Sequence, residues 1–450
     1  MKHLVLFAFL SALLPSFATD PAPSPSAPGR PRGRAFAARA AEPTAGRLPA
    51  PFPDGARVLF LGDSITFADD YIAYLDLFLR TRHPELRIEL INRGMPSETI
   101  AGTSEPAHDP PRPDLFTRLE ETLAATKPTA VVASYGMNDG LYRPPDDAVF
   151  AKYTNGVRRL VARVAQAGLP LTLLTPPPFD PLPFAGRPAA AQPDYRQPSP
   201  DYNATLERFA GWLKSQTATN VAVVDVFGFV REQLRLRRLD EPGFTVARDG
   251  IHPDATGHLL IALAILRAWQ VEPSVGFALV NAGRRVVLGP GTGGAEFLDS
   301  SAVRFRWRVP LPLPLDPAWD TNIVNATGFS RSFNRCELRA TQLRTPSWDL
   351  EVDGARVLST SAVALFKGLD LAAEPAWPAT ADAQALLGKL KQLRAAQREL
   401  WVRGDPHPRL KGMFADGQAT PEDVARLDAE LRRLCAPRER VVMLAPVTTE

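Results

Sequence analysis

From Arg57 onward, short apolar runs alternate with longer stretches in which apolar residues recur every three or four positions. Val58-Leu59-Phe60-Leu61 is the first run; it ends in Gly62-Asp63-Ser64 and leads into an amphipathic stretch from Asp70 to Arg82. Further runs lie at Ile88 to Ile91, Ala130 to Ser134, Leu171 to Leu174 and Val221 to Val226, and helical spacing fills the gaps at about 113–126, 146–167, 202–217 and 254–269. Runs this short, predominantly apolar and separated by helices, predict strands buried on both faces. The expectation is an α/β unit over residues 54–270 with about five parallel strands between two helical layers. Such a sheet binds ligands beyond the carboxyl ends of its strands.

After Trp269 the texture changes to shorter units rich in Gly and Pro, such as Gly289-Pro290-Gly291-Thr292-Gly293-Gly294. Strict alternation in Val303-Arg304-Phe305-Arg306-Trp307-Arg308, and again around Leu350 to Gly354, predicts strands and turns. Residues 380–401 and 421–434 carry helical spacing. The pattern therefore predicts a smaller β-rich C-terminal region over 271–450, carrying a helical hairpin at about 380–434. The Trp residues at 307, 319, 348, 377 and 401 read more readily as core than as a sugar-stacking surface.

The first 53 residues follow neither pattern. Lys2 and His3 precede an apolar run from Leu4 to Leu14, with Ser16-Phe17-Ala18 at cleavage spacing, which predicts a signal peptide over 1–18. The run falls short of the roughly 20 residues of a spanning helix. A Pro- and Ala-rich stretch follows at 19–53, too poor in apolar residues to fold. Export to the periplasm or beyond, without stable membrane insertion after cleavage, is the expectation. The net charge of +3, spread over 52 basic and 49 acidic residues, does not suggest a nucleic-acid partner. Cys336 and Cys435 are the only cysteines; in an oxidising compartment they either pair or remain free.

Four segments carry chemistry. Ser64 follows the first strand, where Asp63 or Ser64 serves either as a nucleophile position or as an ordinary helix cap. Asp249-Gly250-Ile251-His252-Pro253 puts a carboxylate and an imidazole on one loop before the last helix of the α/β unit. A serine hydroxyl needs a base that titrates near neutrality, and a histidine needs a partner that fixes its tautomer. The alternative for this loop is a surface turn. Gly94 follows the second strand and Asn138 the third; each is either an oxyanion donor or a turn residue.

Taken together, Gly62-Asp63-Ser64, Gly94, Gly136-Met137-Asn138-Asp139 and Asp249 to Pro253 resemble the four blocks of the SGNH (GDSL) serine hydrolases. The resemblance covers about residues 56–270. It implies a flavodoxin-like three-layer fold, Ser64 as nucleophile, Asp249 and His252 as its catalytic partners, and an oxyanion hole from Ser64, Gly94 and Asn138. It implies no cofactor and no metal. A narrower likeness, carried by Tyr135 to Asp139, Ser104 to His108 and Pro111 to Asp114, is to exported esterases in bacteria of the planctomycete and verrucomicrobial kind. His108 is left outside the catalytic set.

The resulting expectation is an exported esterase that forms an acyl-enzyme on Ser64 and removes acetyl or another short acyl group from a glycan or small-molecule ester. A lipase, thioesterase or arylesterase of the same fold is the alternative within enzymes; a non-catalytic glycan-binding or surface protein is the alternative outside them. The Pro-rich stretch at 176–201 is the candidate specificity loop. The sequence leaves the oligomeric state open.

Overall fold

The computed structural model describes residues 52–447 apart from 189, 217–219, 273 and 299–300. The expected signal peptide at 1–18, and all but the end of the expected leader at 19–53, lie outside the described residues.

Five strands form the first sheet: β1 (Arg57–Gly62), β2 (Glu89–Gly94), β3 (Ala130–Ser134), β4 (Leu171–Leu174) and β5 (Val221–Val224). They run parallel in the order β2-β1-β3-β4-β5. Every residue of β3 and β4 is buried, which is why neither run alternates. The helices are α1 (Ser64–Ala68), α2 (Asp70–Arg82), α3 (Leu119–Thr126), α4 (Asp147–Gln166), α5 (Tyr202–Lys214), α6 (Val226–Asp240) and α7 (Ala255–Ala268). The apolar pattern did not announce α6, because it continues the run of β5 without a gap. Asp225 makes the break, its side chain accepting from the Gly228 N–H at 3.0 Å.

The register sets the site. Gly62 of β1 pairs level with Gly94 of β2 and with Ser134 of β3. The segments that follow these strands therefore leave the sheet along one edge.

The C-terminal region begins with β6 (Ser274–Asn281), β7 (Val286–Leu288), β8 (Thr292–Phe297) and β9 (Val303–Val309). Next come α8 (Thr321–Ala326), α9 (Phe329–Phe333), β10 (Arg335–Thr341), β11 (Ser347–Val352), β12 (Ala355–Ser361), α10 (Ala362–Lys367) and β13 (Leu369–Asp370). The chain then forms α11 (Pro378–Gly404), α12 (Pro421–Cys435) and β14 (Arg438–Pro446). Two sheets result, in the orders β13-β10-β6-β7 and β12-β11-β14-β9-β8. In β9 the alternation sends Phe305 and Trp307 inward and Arg304, Arg306 and Arg308 outward. The helical hairpin is α11 and α12, the latter opened by a capping box between Thr420 and Asp423.

The change of texture near residue 270 does not divide the core. One apolar cluster runs from Phe60 through Tyr74 and Leu263 to Trp319, Leu387 and Leu431. Trp307, Trp348 and Trp377 are among its most deeply buried side chains. Cys336 and Cys435 are buried free thiols rather than a disulfide, and burial pushes the Cys435 thiol up to about 12. Such thiols are unreactive.

Candidate active site

At the end of β1 the cap reading and the catalytic reading fall on neighbouring residues. Asp63 is the cap, its Oδ1 accepting from the Ile65 N–H at 2.9 Å. Ser64, the next residue, points its Oγ at His252 Nε2, 2.8 Å away. His252 Nδ1 lies 2.6 Å from Asp249 Oδ2, and Asp249 Oδ1 accepts from the N–H groups of Ile251 at 2.9 Å and His252 at 2.8 Å. An ionised carboxylate only accepts, so Nδ1 carries the proton and the Nε2 lone pair faces the serine hydroxyl. The hydrogen bond to Asp249 raises the His252 pKa above the ordinary imidazole value. Burial works to raise the Asp249 carboxyl, but the bonds from His252 and the two backbone amides hold it down at about 2. Both side chains are about half exposed, 51% and 55%, so the pair is open to a substrate.

The Pro-rich stretch at 176–201 braces this loop. Asp180 N–H donates to Gly250 O at 2.9 Å. The Asp180 carboxylate is buried and accepts from Arg238 Nη2 at 2.6 Å and Thr245 Oγ1 at 2.5 Å. Gly250 has φ of 79°, and a Cβ there would meet Asp180 O at 2.6 Å, so the turn between Asp249 and His252 needs glycine on both counts.

Asn138, after β3, is aimed by its oxygen. Oδ1 accepts from Arg112 Nη1 and from Tyr142 OH, each at 2.9 Å. Nδ2 donates one hydrogen to Glu98 O at 3.1 Å and keeps a second. Arg112 is itself locked to Glu105, Nε to Oε2 at 2.5 Å and Nη2 to Oε1 at 2.8 Å, with both side chains almost fully buried. The Ser104 to Asp114 segment is thus a strut for Asn138.

Gly94 does not sit as the oxyanion-donor expectation requires. Its N–H is already donated to Asn92 Oδ1 at 2.8 Å. A Cβ at Gly94 would fall 2.4 Å from Phe67 N, so glycine is needed there for close contact with α1. The residue that sequence reasoning missed is Ser97. It holds φ of 67° without being glycine. It lies between Met95, whose N–H is bonded to Gly62 O, and Glu98, whose O accepts from Asn138. No acceptor for the Ser97 or Ser64 N–H is found among the described residues. A left-handed serine leaves no signal in composition or spacing, whereas a glycine does.

The far end of α1 is held by α11. Arg394, buried at 5% side-chain exposure, grips Asp69 with Nε to Oδ2 at 2.6 Å and Nη2 to Oδ1 at 2.7 Å. Its Nη1 reaches Leu90 O at 3.0 Å and Asp76 Oδ2 at 3.3 Å. Arg398 Nη1 donates to the last carbonyls of α1, Phe67 O at 3.1 Å and Ala68 O at 3.0 Å. Asn92 Nδ2 completes the clamp on Thr66 O at 2.7 Å and Asp69 Oδ1 at 2.8 Å. A helix of five residues cannot hold its own position; these side chains hold it. Among the described residues no group of three or more His, Cys, Asp and Glu side chains is placed to hold a metal ion.

Residues 60–260 match the model of the GDSL-like Lipase/Acylhydrolase family. An acetylxylan esterase of Geobacillus stearothermophilus is 26% identical over 235 residues, which span 47% of this chain and 93% of the relative. Among solved structures, BT4096, a gut microbial diltiazem-metabolizing enzyme, superposes with a TM-score of 0.72 at 21% identity, covering 90% of this chain and 100% of that one. That similarity is one of fold, and it takes in the C-terminal region as well as the α/β unit. The structure of Axe2, an acetylxylan esterase from Geobacillus stearothermophilus, gives a TM-score of 0.35 at 25% identity over 49% of this chain and 96% of that one.

Proposed function

We propose that this carboxylic ester hydrolase, GDSL-like over residues 60–260, works through an acyl-enzyme on Ser64. His252 Nε2 takes the hydroxyl proton as Ser64 Oγ attacks the ester carbonyl, and Asp249 stabilises the imidazolium that results. The negative charge that develops on the carbonyl oxygen is met by the N–H groups of Ser64 and Ser97 and by the free hydrogen of Asn138 Nδ2. Collapse expels the alcohol with the proton from His252. A water deprotonated by the same imidazole then releases the acid. The single observation that carries this reading is the unbroken chain from Ser64 Oγ through His252 to Asp249, at 2.8 and 2.6 Å. A protein that only bound glycans would have no use for it.

The acyl group we propose is acetyl or another short chain, and the alcohol a glycan hydroxyl. The likeness of the α/β unit to an acetylxylan esterase supports this. So does the polarity of Ser97 and Asn138, proposed above as oxyanion donors, since a site for long acyl chains is lined by apolar side chains. Action outside the cytoplasm rests on the Leu4 to Leu14 run and is tested by cell fractionation.

The deciding experiment is labelling with a fluorophosphonate probe beside Ser64→Ala. Stoichiometric labelling of the wild type and none of the variant is expected; labelling that ignores the substitution would remove Ser64 from the mechanism. Comparing acetyl with longer acyl esters of one alcohol settles chain length, and faster turnover of long chains would overturn the acetyl assignment.

A further inference from the structure

The loop between α11 and α12 delivers a cation to the active-site edge. Leu410 anchors it, buried with Met95 and Val402 against Phe67 and Trp401. The turn is fixed by His407 N–H donating to Asp405 Oδ1 at 2.9 Å and Arg409 N–H donating to His407 Nδ1 at 3.1 Å. From this base Arg409 Nη2 reaches Ser97 Oγ at 2.5 Å and stands 3.5 Å from His108 Nε2.

Neither contact neutralises it. His108 Nδ1 lies 2.7 Å from Pro110 O, a carbonyl that only accepts, so Nδ1 carries the proton and Nε2 faces the guanidinium as a neutral lone pair. The desolvating surroundings and the neighbouring Arg112 and Arg409 cations hold the His108 pKa down, which keeps the ring neutral. Carboxylates of the surrounding segments are engaged elsewhere, Glu98 with Arg118 among them. Glu105 is bidentate to Arg112, Asp405 accepts from His407 N–H and Trp401 Nε1, and Asp194 accepts from the N–H groups of Arg196 and Gln197. Among the described residues no carboxylate lies within ion-pair distance of Arg409. Its Nε and Nη1 have no partner there, and the residue is only partly buried. Tyr195, whose ring is 5.4 Å from that of His108, stands on the same wall.

A half-desolvated guanidinium with its charge uncompensated and a fork of donors unspent is costly to hold unless an anion uses it. We propose that Arg409, with His108 and Tyr195 beside it, is a subsite for a carboxylate on the alcohol part of the ester, and that the substrate is an acylated acidic sugar of the uronic acid type. The proposal rests on the acyl-enzyme reading above and narrows its substrate.

Two acetylated methyl glycosides test it, one of glucuronic acid and one of glucose, which differ at C6 in a carboxylate against a hydroxymethyl. The wild type is expected to favour the acid in kcat/KM by about 10- to 100-fold at low salt, the span of one hydrogen-bonded charge contact. Arg409→Gln is expected to abolish that preference, mainly through KM; Arg409→Lys keeps charge without the fork and retains part of it. Ser97→Ala, which removes only the hydroxyl partner of Arg409, is expected to leave the preference standing. If Arg409→Gln lowers both substrates alike, Arg409 is a strut for Ser97 and the proposal falls. It falls equally if the wild type shows no preference.

Calorimetric titration of Ser64→Ala protein with the methyl glycosides of glucuronic acid, glucose and glucose 6-sulfate reads the subsite without turnover. Tighter binding of the glucuronoside, lost in Arg409→Gln, supports the carboxylate, whereas preference for the sulfate overturns it. Failure of Ser64 labelling would strike the acyl-enzyme reading and leave this binding result to stand separately.

Discussion

Removing the Arg394 side chain should do more harm than any surface arginine, because of what it leaves behind. Asp69 and Asp76 are 9% and 3% exposed, and Arg394 bridges them. Asp76 keeps a second cation in Arg80, whose Nε lies 2.8 Å from Oδ1, so Asp69 bears most of the loss. Breaking a buried pair by deleting one partner costs about 3–5 kcal/mol, because the other charge stays buried and unpaired. Against a total stability of about 5–15 kcal/mol, this is a large share. Arg394→Ala should therefore show a lower denaturant midpoint at unchanged slope in equilibrium unfolding. Adding Asp69→Asn should recover at least half of the loss. Asparagine tolerates the left-handed backbone at position 69, where φ is 79°, and its Oδ1 can still accept from Asn92. A loss below about 1 kcal/mol in the single variant, or a double variant no more stable than the single, would refute the view that charge compensation rather than packing explains Arg394.

Two further outcomes follow from the site. Because the Asp249 hydrogen bond raises the His252 pKa, the base form is lost at higher pH than for a free imidazole, so kcat/KM should rise through a midpoint above about 6.5. In Asp249→Asn that midpoint should move down and the plateau should fall by up to about 10⁴-fold; a midpoint that moves up would show the sign of the coupling to be wrong. Gly94→Ala drives a methyl against the Phe67 backbone and should lose about 1–3 kcal/mol of stability together with activity. Lost activity at full thermal stability would instead return the Gly94 amide to the oxyanion site.

The α/β unit was legible because its central strands are buried on both faces and its helices are amphipathic, so period alone separated Ala130–Ser134 from the stretch that became α4. The boundary at Asp225 was not, since an apolar strand running into an apolar first turn offers no contrast. Ser64, Asn138, Asp249 and His252 stand out in the sequence as chemistry placed at turns, and the structure brings Ser64, His252 and Asp249 into one hydrogen-bonded chain. Gly94 shows the limit of that reasoning: a glycine beside a site marks close backbone approach, and here the approaching group is α1 rather than a substrate. Ser97 and Arg409 were invisible for different reasons. One is a left-handed residue with an ordinary side chain, and the other comes within reach only because a loop more than three hundred positions away is folded against β2 and α1. The parallel pairing of β6 with β10 was hidden likewise, since β6 lacks the strict alternation that marks β9 and β11, and the alternation along β10 does not say which strand it meets.

Asp69 and Arg394 are 325 positions apart in the chain. During synthesis the segment bearing the serine emerges early, while the residues that fix its far end follow after most of the remaining chain has been made. Closing so long a loop is slow compared with forming the local contacts of the first sheet. Gain of ester hydrolysis during refolding should accordingly lag behind recovery of secondary structure, so that activity reports the last docking event and not the first collapse.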